Sequence, residues 1–188
     1  GSALLPAPVD GISLQDKQTI TQLLMRGGAT INELNCVRKQ LSQIKGGGLA
    51  RASRAGQMVA LVISDVIGDP LDVIASGPTV DDSSTPGEAL EIISRVVKGR
   101  ADVPSSIVDR LRRNVSKVDQ HSHVAADRVR NLVIGNNEFA VRAAGVKAAE
   151  LGYRVVNQGC EMAGVAAEVG GNLAEACLMI LKDETAGA

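Results

Sequence analysis

The sequence predicts a parallel α/β domain, and three observations carry that prediction. Short continuous apolar runs, "MVALVIS" at 58–64 and "NLVIGNN" at 131–137, read as strands buried on both faces. Between and around them lie segments with apolar residues at helical spacing. The resulting strand–helix–strand order calls for a parallel sheet with right-handed crossovers. The chain has 188 residues, which suits one domain or most of one. It shows neither an internal repeat nor an obvious linker.

Taken in order, Ser13 to Asp16 reads as a capping box that opens a first helix. Leu14, Ile20, Leu23 and Leu24 supply its inner face, and Gly27 and Gly28 end it. Thr30 to Glu33 is a second capping box, followed by Leu34, Val37, Leu41 and Ile44. The glycine-rich, basic "KGGGLARASRAG" leads to the first strand, with a short helix opening at Leu49. Thr85 to Glu88 starts another helix with Pro86 at its first position, and Ile92, Ile93, Val96 and Val97 face inward. "VPSSIVDRLRRNV" is a short helix, and "KVDQHSHVAAD" a surface loop. After the second strand comes an alanine-rich helix over 138–151, stopped at Gly152. "YRVVNQG" (153–159) reads as a third strand, and 161–182 as a long final helix.

Composition narrows the function classes. Charged residues make up 22% and nearly balance, for a net charge of −1, so neither nucleic acid nor an anionic membrane is an expected partner. The only aromatic residues are Phe139 and Tyr153, which leaves no stacking platform for bases. The core must therefore be aliphatic. Three scattered cysteines, Cys36, Cys160 and Cys177, read as small core residues in a reducing compartment. No apolar run approaches the ~18 residues of a membrane helix, and no signal peptide is visible. The start at Gly1 reads as a cloning scar or as a cut inside a longer protein.

In parallel α/β sheets, ligands bind beyond the carboxyl ends of the strands. Asp65 and Asp69 follow the first strand directly, and Asn136 and Asn137 follow the second. Carboxylates at such a place can hold Mg²⁺ or accept a proton from a substrate hydroxyl. The plainer alternative is a turn cap and a solvated acid. Ser76, Gly77 and Thr79 offer hydroxyls and a flexible backbone near the same edge, although Gly and Pro also simply make turns. Arg38, Lys39 and Lys45 stand before Gly46, Gly47 and Gly48, a setting for phosphate or carboxylate, or else a basic helix end with a glycine cap. "KGGG" is not a Walker loop. Gly1-Ser2 reads as the tail of a glycine-rich loop or as a tag remnant. His121 and His123 lack neighbours at metal-ligand spacing. Neither a Ser-His-Asp arrangement nor a GxGxxG fingerprint can be defended.

Four stretches, "GSALLPAP", "ATINELNCVRKQLSQIKGGGLA", "LVISDVIGDPLDVIASGPTV" and "VIGNN", resemble glycerate kinases of the type with a C-terminal MOFRL domain, nearest the animal forms. The resemblance is most specific from residue 1 to about residue 80. It implies a Rossmann-like layered domain with a mainly parallel sheet flanked by helices. It also implies ATP- and Mg²⁺-dependent phosphorylation of D-glycerate, with the 2-position favoured. Residues 1–188 then correspond to part of the larger N-terminal domain, incomplete at both ends, with the MOFRL domain absent. Only Gly1-Ser2-Ala3 of the family's S-G-G-G-S-A motif is present.

On this reading Lys45, Asp65 and Asp69 are the catalytic candidates, and the two aspartates also hold the metal. Ser2, Arg38, Gly46, Gly47, Ser76, Gly77, Thr79, Asn136 and Asn137 bind substrate or phosphate. The implied partners are D-glycerate, the missing N-terminal segment and the MOFRL domain of the same chain. Alone, the chain is expected to be inactive and marginally stable or self-associating, with a homo-oligomer left open. The expected location is the cytoplasm, with the mitochondrion as alternative. Two other functions stay open: a non-catalytic nucleotide or sugar-acid binding module, and an NAD(P)H-dependent hydroxypyruvate reductase.

Overall fold

The computed structural model describes residues 4–97, 102–115, 124 and 127–186. Two compact units divide the chain, Gly1–Asn136 and Asn137–Ala188. His121 and His123, like Ser2, lie outside the described residues.

Among its described residues, the first unit has four longer α-helices, one short one and two strands. Helices α1 (Leu14–Arg26), α2 (Ile31–Gln40) and α4 (Pro86–Val96) each begin with a complete capping box. In each, a Ser or Thr hydroxyl accepts the N3 amide, and the N3 carboxylate accepts the cap amide. Each such cap is worth about 1 kcal/mol. Helix α1 packs on α2, α2 on α4, and α4 on α5 (Ser105–Val115). Their shared core is aliphatic: Ile20, Leu24, Val37, Leu41, Ile107 and Leu111 are almost wholly out of solvent. Burying each such side chain contributes roughly 1.5–3 kcal/mol. Leu14 departs from the expected face and is 46% exposed. Lys17 takes the inner face instead, three residues before Ile20 and seven before Leu24.

Strand β1 (Met58–Ile63) pairs in parallel with β2 (Val129–Gly135). The register runs from Met58 opposite Val129 to Val62 opposite Val133, then slips so that Ile63 faces Gly135. The expectation of strands buried on both faces holds for neither, since no residue of β1 or β2 is fully buried. In β1 burial alternates, with Val59, Leu61 and Ile63 all at least 60% exposed. A short helix, α3 (Gly48–Ala52), precedes β1.

The second unit holds α6 (Asn137–Glu150) and α7 (Ala166–Ala186). Helix α6 stops as expected at Gly152, whose φ of 85° a residue with a side chain rarely adopts. The expected strand over 153–159 does not form. These residues pair with no strand among the described residues, and a strand is defined by the neighbour that satisfies its amides and carbonyls. The final helix starts at Ala166, five residues later than its apolar spacing suggests. No helix among the described residues is long and apolar enough to cross a membrane. All three cysteines are free; Cys36 is buried, as a core residue should be, but Cys177 is exposed.

Close packing between α1 and α4 gives a direct test. A Cβ added to Gly27 would lie 2.4 Å from the Val96 carbonyl oxygen, which is backbone and cannot swing aside. Gly27→Ala is expected to destabilise the chain by about 1–3 kcal/mol in urea unfolding. Stability equal to wild type would show that the two helices can separate without cost.

Candidate functional site

The polar loops that follow α2 and β1 are locked together through their backbones. Four successive carbonyls accept from the "KGGGLA" segment. Ala75 O takes the Lys45 Nζ proton at 3.2 Å, and Ser76 O takes the Gly46 amide at 2.9 Å. Gly77 O takes the Gly47 amide at 2.6 Å, and Pro78 O the Ala50 amide at 3.2 Å. To present these carbonyls, Ala75, Ser76 and Gly77 all adopt positive φ, at 55°, 63° and 60°. For the two residues with side chains this costs about 1–3 kcal/mol each. The surrounding bonds hold the turn in that state.

This arrangement revises the roles expected of Gly46 and Gly47. Each amide has one proton, and the turn already takes it, so neither amide is open to a ligand. Glycine is required here for space. A Cβ on Gly47 would sit within 3 Å of Arg51, Val124 and Val80, at a φ of 77°. Ser76 also points inward: it is 2% exposed, and its hydroxyl donates to Asn35 Oδ1 at 3.0 Å. Thr79 donates to Asn131 Oδ1 at 2.5 Å and ties the loop to β2. Neither hydroxyl lines an open site. Gly77 is the hinge of the strained turn, packed against Asp72 and Val80.

The cations behave differently. Lys45 is 4% exposed and makes no ion pair among the described residues. Burial pushes its amine down to about 8 from an ordinary 10.5, with further lowering by the charges of Arg38 and Lys17. Arg38 is half-buried on α2 and likewise makes neither hydrogen bond nor ion pair among the described residues.

A second group forms at the carboxyl ends of the paired strands. Ser64 extends the ladder by donating its amide to Gly135 O at 2.8 Å. The chain then turns through Gly68 and Asp69, both at positive φ. Asn136, just past β2, donates its side-chain amide to Asp69 Oδ2 at 2.5 Å. Hydrogen bonds from Ser64 and then Asn136 hold the Asp69 carboxyl below its usual range. Asp65 is exposed on the same turn, with neither hydrogen bond nor ion pair among the described residues. Asn137 opens α6 in the second unit and donates to Cys160 O at 2.8 Å.

The expected residues therefore sort into two groups. Asp69 and Asn136 meet at the strand ends beside Asp65. Lys45, Arg38 and Lys17 are buried or half-buried cations whose charges act on one another, and sequence reading passed over Lys17. The helical spacing of Lys17 from Ile20 and Leu24 was the available signal. Asn35 was also missed; it lines a cleft of about 350 Å³ with Asn32, Lys39 and Asp72. A single turn over Pro70–Ile74, held by Val73 and Ile74 amides on Pro70 O, joins the two groups.

The lowered Lys45 value carries a sign. Below pH 8 the amine is charged in both folded and unfolded chains, and the folded state bears the full penalty. Between pH 8 and 10.5 only the unfolded chain keeps the proton, so stability rises with pH. The melting temperature of wild type relative to Lys45→Met, in low-salt buffer without phosphate or carboxylate, is expected to increase from pH 7.5 to 9.5. A constant difference would show that Lys45 titrates normally.

Residues 1–112 match the family model described as a domain of unknown function, DUF4147. Glycerate kinase of Macaca fascicularis is 46% identical over 191 residues, covering 100% of this chain and 48% of that protein. Glycerate kinase of Danio rerio is 49% identical over 160 residues, covering 83% of this chain and 32% of that protein. A crystal structure of glycerate kinase from Thermotoga maritima superposes with a TM-score of 0.65 at 38% identity, over 81% of this chain and 34% of that one. The chain thus spans 32–48% of the length of these relatives. The family model covers more than half of the residues and leads to one conclusion: the chain belongs to the DUF4147 family, that of the N-terminal domain of glycerate 2-kinases.

Proposed function

We propose that this chain carries part of the active site of an ATP-dependent D-glycerate kinase acting at the 2-hydroxyl. The observation that carries the reading is the meeting of Asp69 and Asn136 beside Asp65 at the carboxyl ends of two paired parallel strands. The names of the relatives support the substrate and the reaction.

Phosphoryl transfer needs positioned charge more than covalent help from the protein. Mg²⁺ is commonly held by one or two carboxylates together with substrate phosphates and water. Asp65 and Asp69 fit that donor set, because Asp69 is kept ionised by its hydrogen bonds and Asp65 is open. Bound there, the ion supplies neutralisation of charge on the phosphate oxygens. Asn136 fixes the orientation of Asp69. The open Asp65 carboxylate is the group proposed to accept the proton of the attacking hydroxyl. Lys45 and Arg38 receive an anionic group. A reducing compartment is part of the proposal, supported by three free cysteines.

The test is phosphorylation of D-glycerate by ATP and Mg²⁺ in the chain extended to the length of its glycerate kinase relatives. Wild type is expected to turn over, with Asp65→Asn and Lys45→Ala slowed by about 100-fold or more while folded. Unchanged rates in both variants would reduce the strand-end loop to structural punctuation. Absence of turnover in wild type would favour a non-catalytic binding module.

A further inference from the structure

Lys17 and Lys45 are two buried lysines with no carboxylate partner among the described residues. Lys17 is 8% exposed, and its Nζ donates to Pro6 O at 2.5 Å. Lys45 is 4% exposed, and its Nζ donates to Ala75 O. Each ammonium has three protons and spends one on a carbonyl. Arg38, between Leu34 and Leu41 on the buried side of α2, adds a third cation. The segment that receives Lys17 runs along the chain between Arg38 and Lys45: Gln43 donates its amide to Ala7 O at 2.9 Å, one residue from Pro6, and Val9 donates to Leu41 O at 3.3 Å. The charges act on one another accordingly, Arg38 lowering the proton affinity of both lysines and Lys17 that of Lys45.

The neighbouring Lys39 shows what a neutralised cation looks like in this fold. It pairs with Asp82 at 3.3 Å, and Gln40 donates to the same carboxylate. Lys17, Arg38 and Lys45 have no such partner among the described residues. Burying like charges without a counter-ion is costly. An anion entering from solution would remove that cost.

We propose that Lys17, Arg38 and Lys45 form one phosphate-binding pocket in which Lys17 sets the preference for a phosphate dianion over a monocarboxylate. A monocarboxylate brings one charge and two acceptor oxygens. Three cations with this many unspent donors are better matched by two charges and three or four oxygens. The carbonyl bonds of the two lysines also tether the pocket to both walls, the "LLPAP" segment through Pro6 and the strained turn through Ala75. The inference rests on the kinase reading only for the natural source of the phosphate, whether nucleotide or phosphorylated product.

The probe is inorganic phosphate, with acetate as the monocarboxylate, titrated calorimetrically into the full chain at pH 7.5 and low salt. Wild type is expected to bind phosphate at least tenfold more tightly than acetate. Lys17→Gln keeps a donor near Pro6 but removes the charge; it is expected to lose tenfold or more in phosphate affinity while acetate affinity stays put. Lys17→Arg is expected to restore the preference. A purely structural role for Lys17 would weaken both anions alike and would overturn the assignment, as would phosphate binding no tighter than acetate in wild type. Should Lys17→Gln not fold, Arg38→Gln, on a half-exposed side chain, is expected to lower phosphate affinity in the same selective way, and an unchanged affinity would overturn the pocket. Turnover of D-glycerate in the lengthened protein is the separate readout. Phosphate binding without turnover keeps the pocket and removes the kinase; turnover without phosphate selectivity does the reverse.

Discussion

The polar loops that follow α2 and β1 depend on one backbone interlock, in which the four carbonyls of Ala75 to Pro78 accept from Lys45, Gly46, Gly47 and Ala50. Two residues with side chains are held at positive φ to make it. The strain is local, and the bonds that oppose it come from a segment 30 residues earlier in the chain. Without Gly46 and Gly47 the two loops could not approach closely enough to bond. Without Asn35 the inward Ser76 hydroxyl would be a buried donor with no acceptor, a cost of about 1–3 kcal/mol. The interlock also fixes where the Lys45 ammonium ends, because one of its three protons is committed to the turn.

The parts of the fold that were legible in the sequence are those decided within a few residues. Three capping boxes announced α1, α2 and α4, because the reciprocal bonds run only from one residue to the third beyond it. Strands β1 and β2 were legible as apolar runs, and their ends as the place where Asp69 and Asn136 would meet. The segment 153–159 shows the limit. It has strand composition, but a strand also needs a neighbour, and pairing is a property of the whole fold. The exposed face of β1 has the same origin. A continuous apolar run states that both faces can be buried, not that both are.

In the site, residue type was legible and residue duty was not. The basic, glycine-rich loop holds a buried cation, Lys45, while the amides of Gly46 and Gly47 are spent on the turn. Composition cannot tell an amide open to a ligand from one already spent on a carbonyl. Lys17 was hidden for the opposite reason. A lysine on the apolar face of a helix reads as an interruption, until Pro6 O is seen to receive it and Arg38 and Lys45 are seen beside it. Ser76 and Thr79 lie in the expected loop, yet both hydroxyls are taken by asparagines 41 and 52 residues away.

The slip in the β1–β2 ladder reaches further than its single residue. Ile63 faces Gly135, so Ile134 has no counterpart on β1 and stands 52% exposed. The slip sets Asn136 level with Ser64, where an unbroken register would set it level with Asp65, and from there its amide reaches Asp69. The surplus residue takes up one place of β2 without adding to its reach. Many residue types could stand at position 134, because it has no partner on β1 to match. The strand-end site is aligned by counting residues, and the residue that corrects the count is one that pairs with nothing on β1.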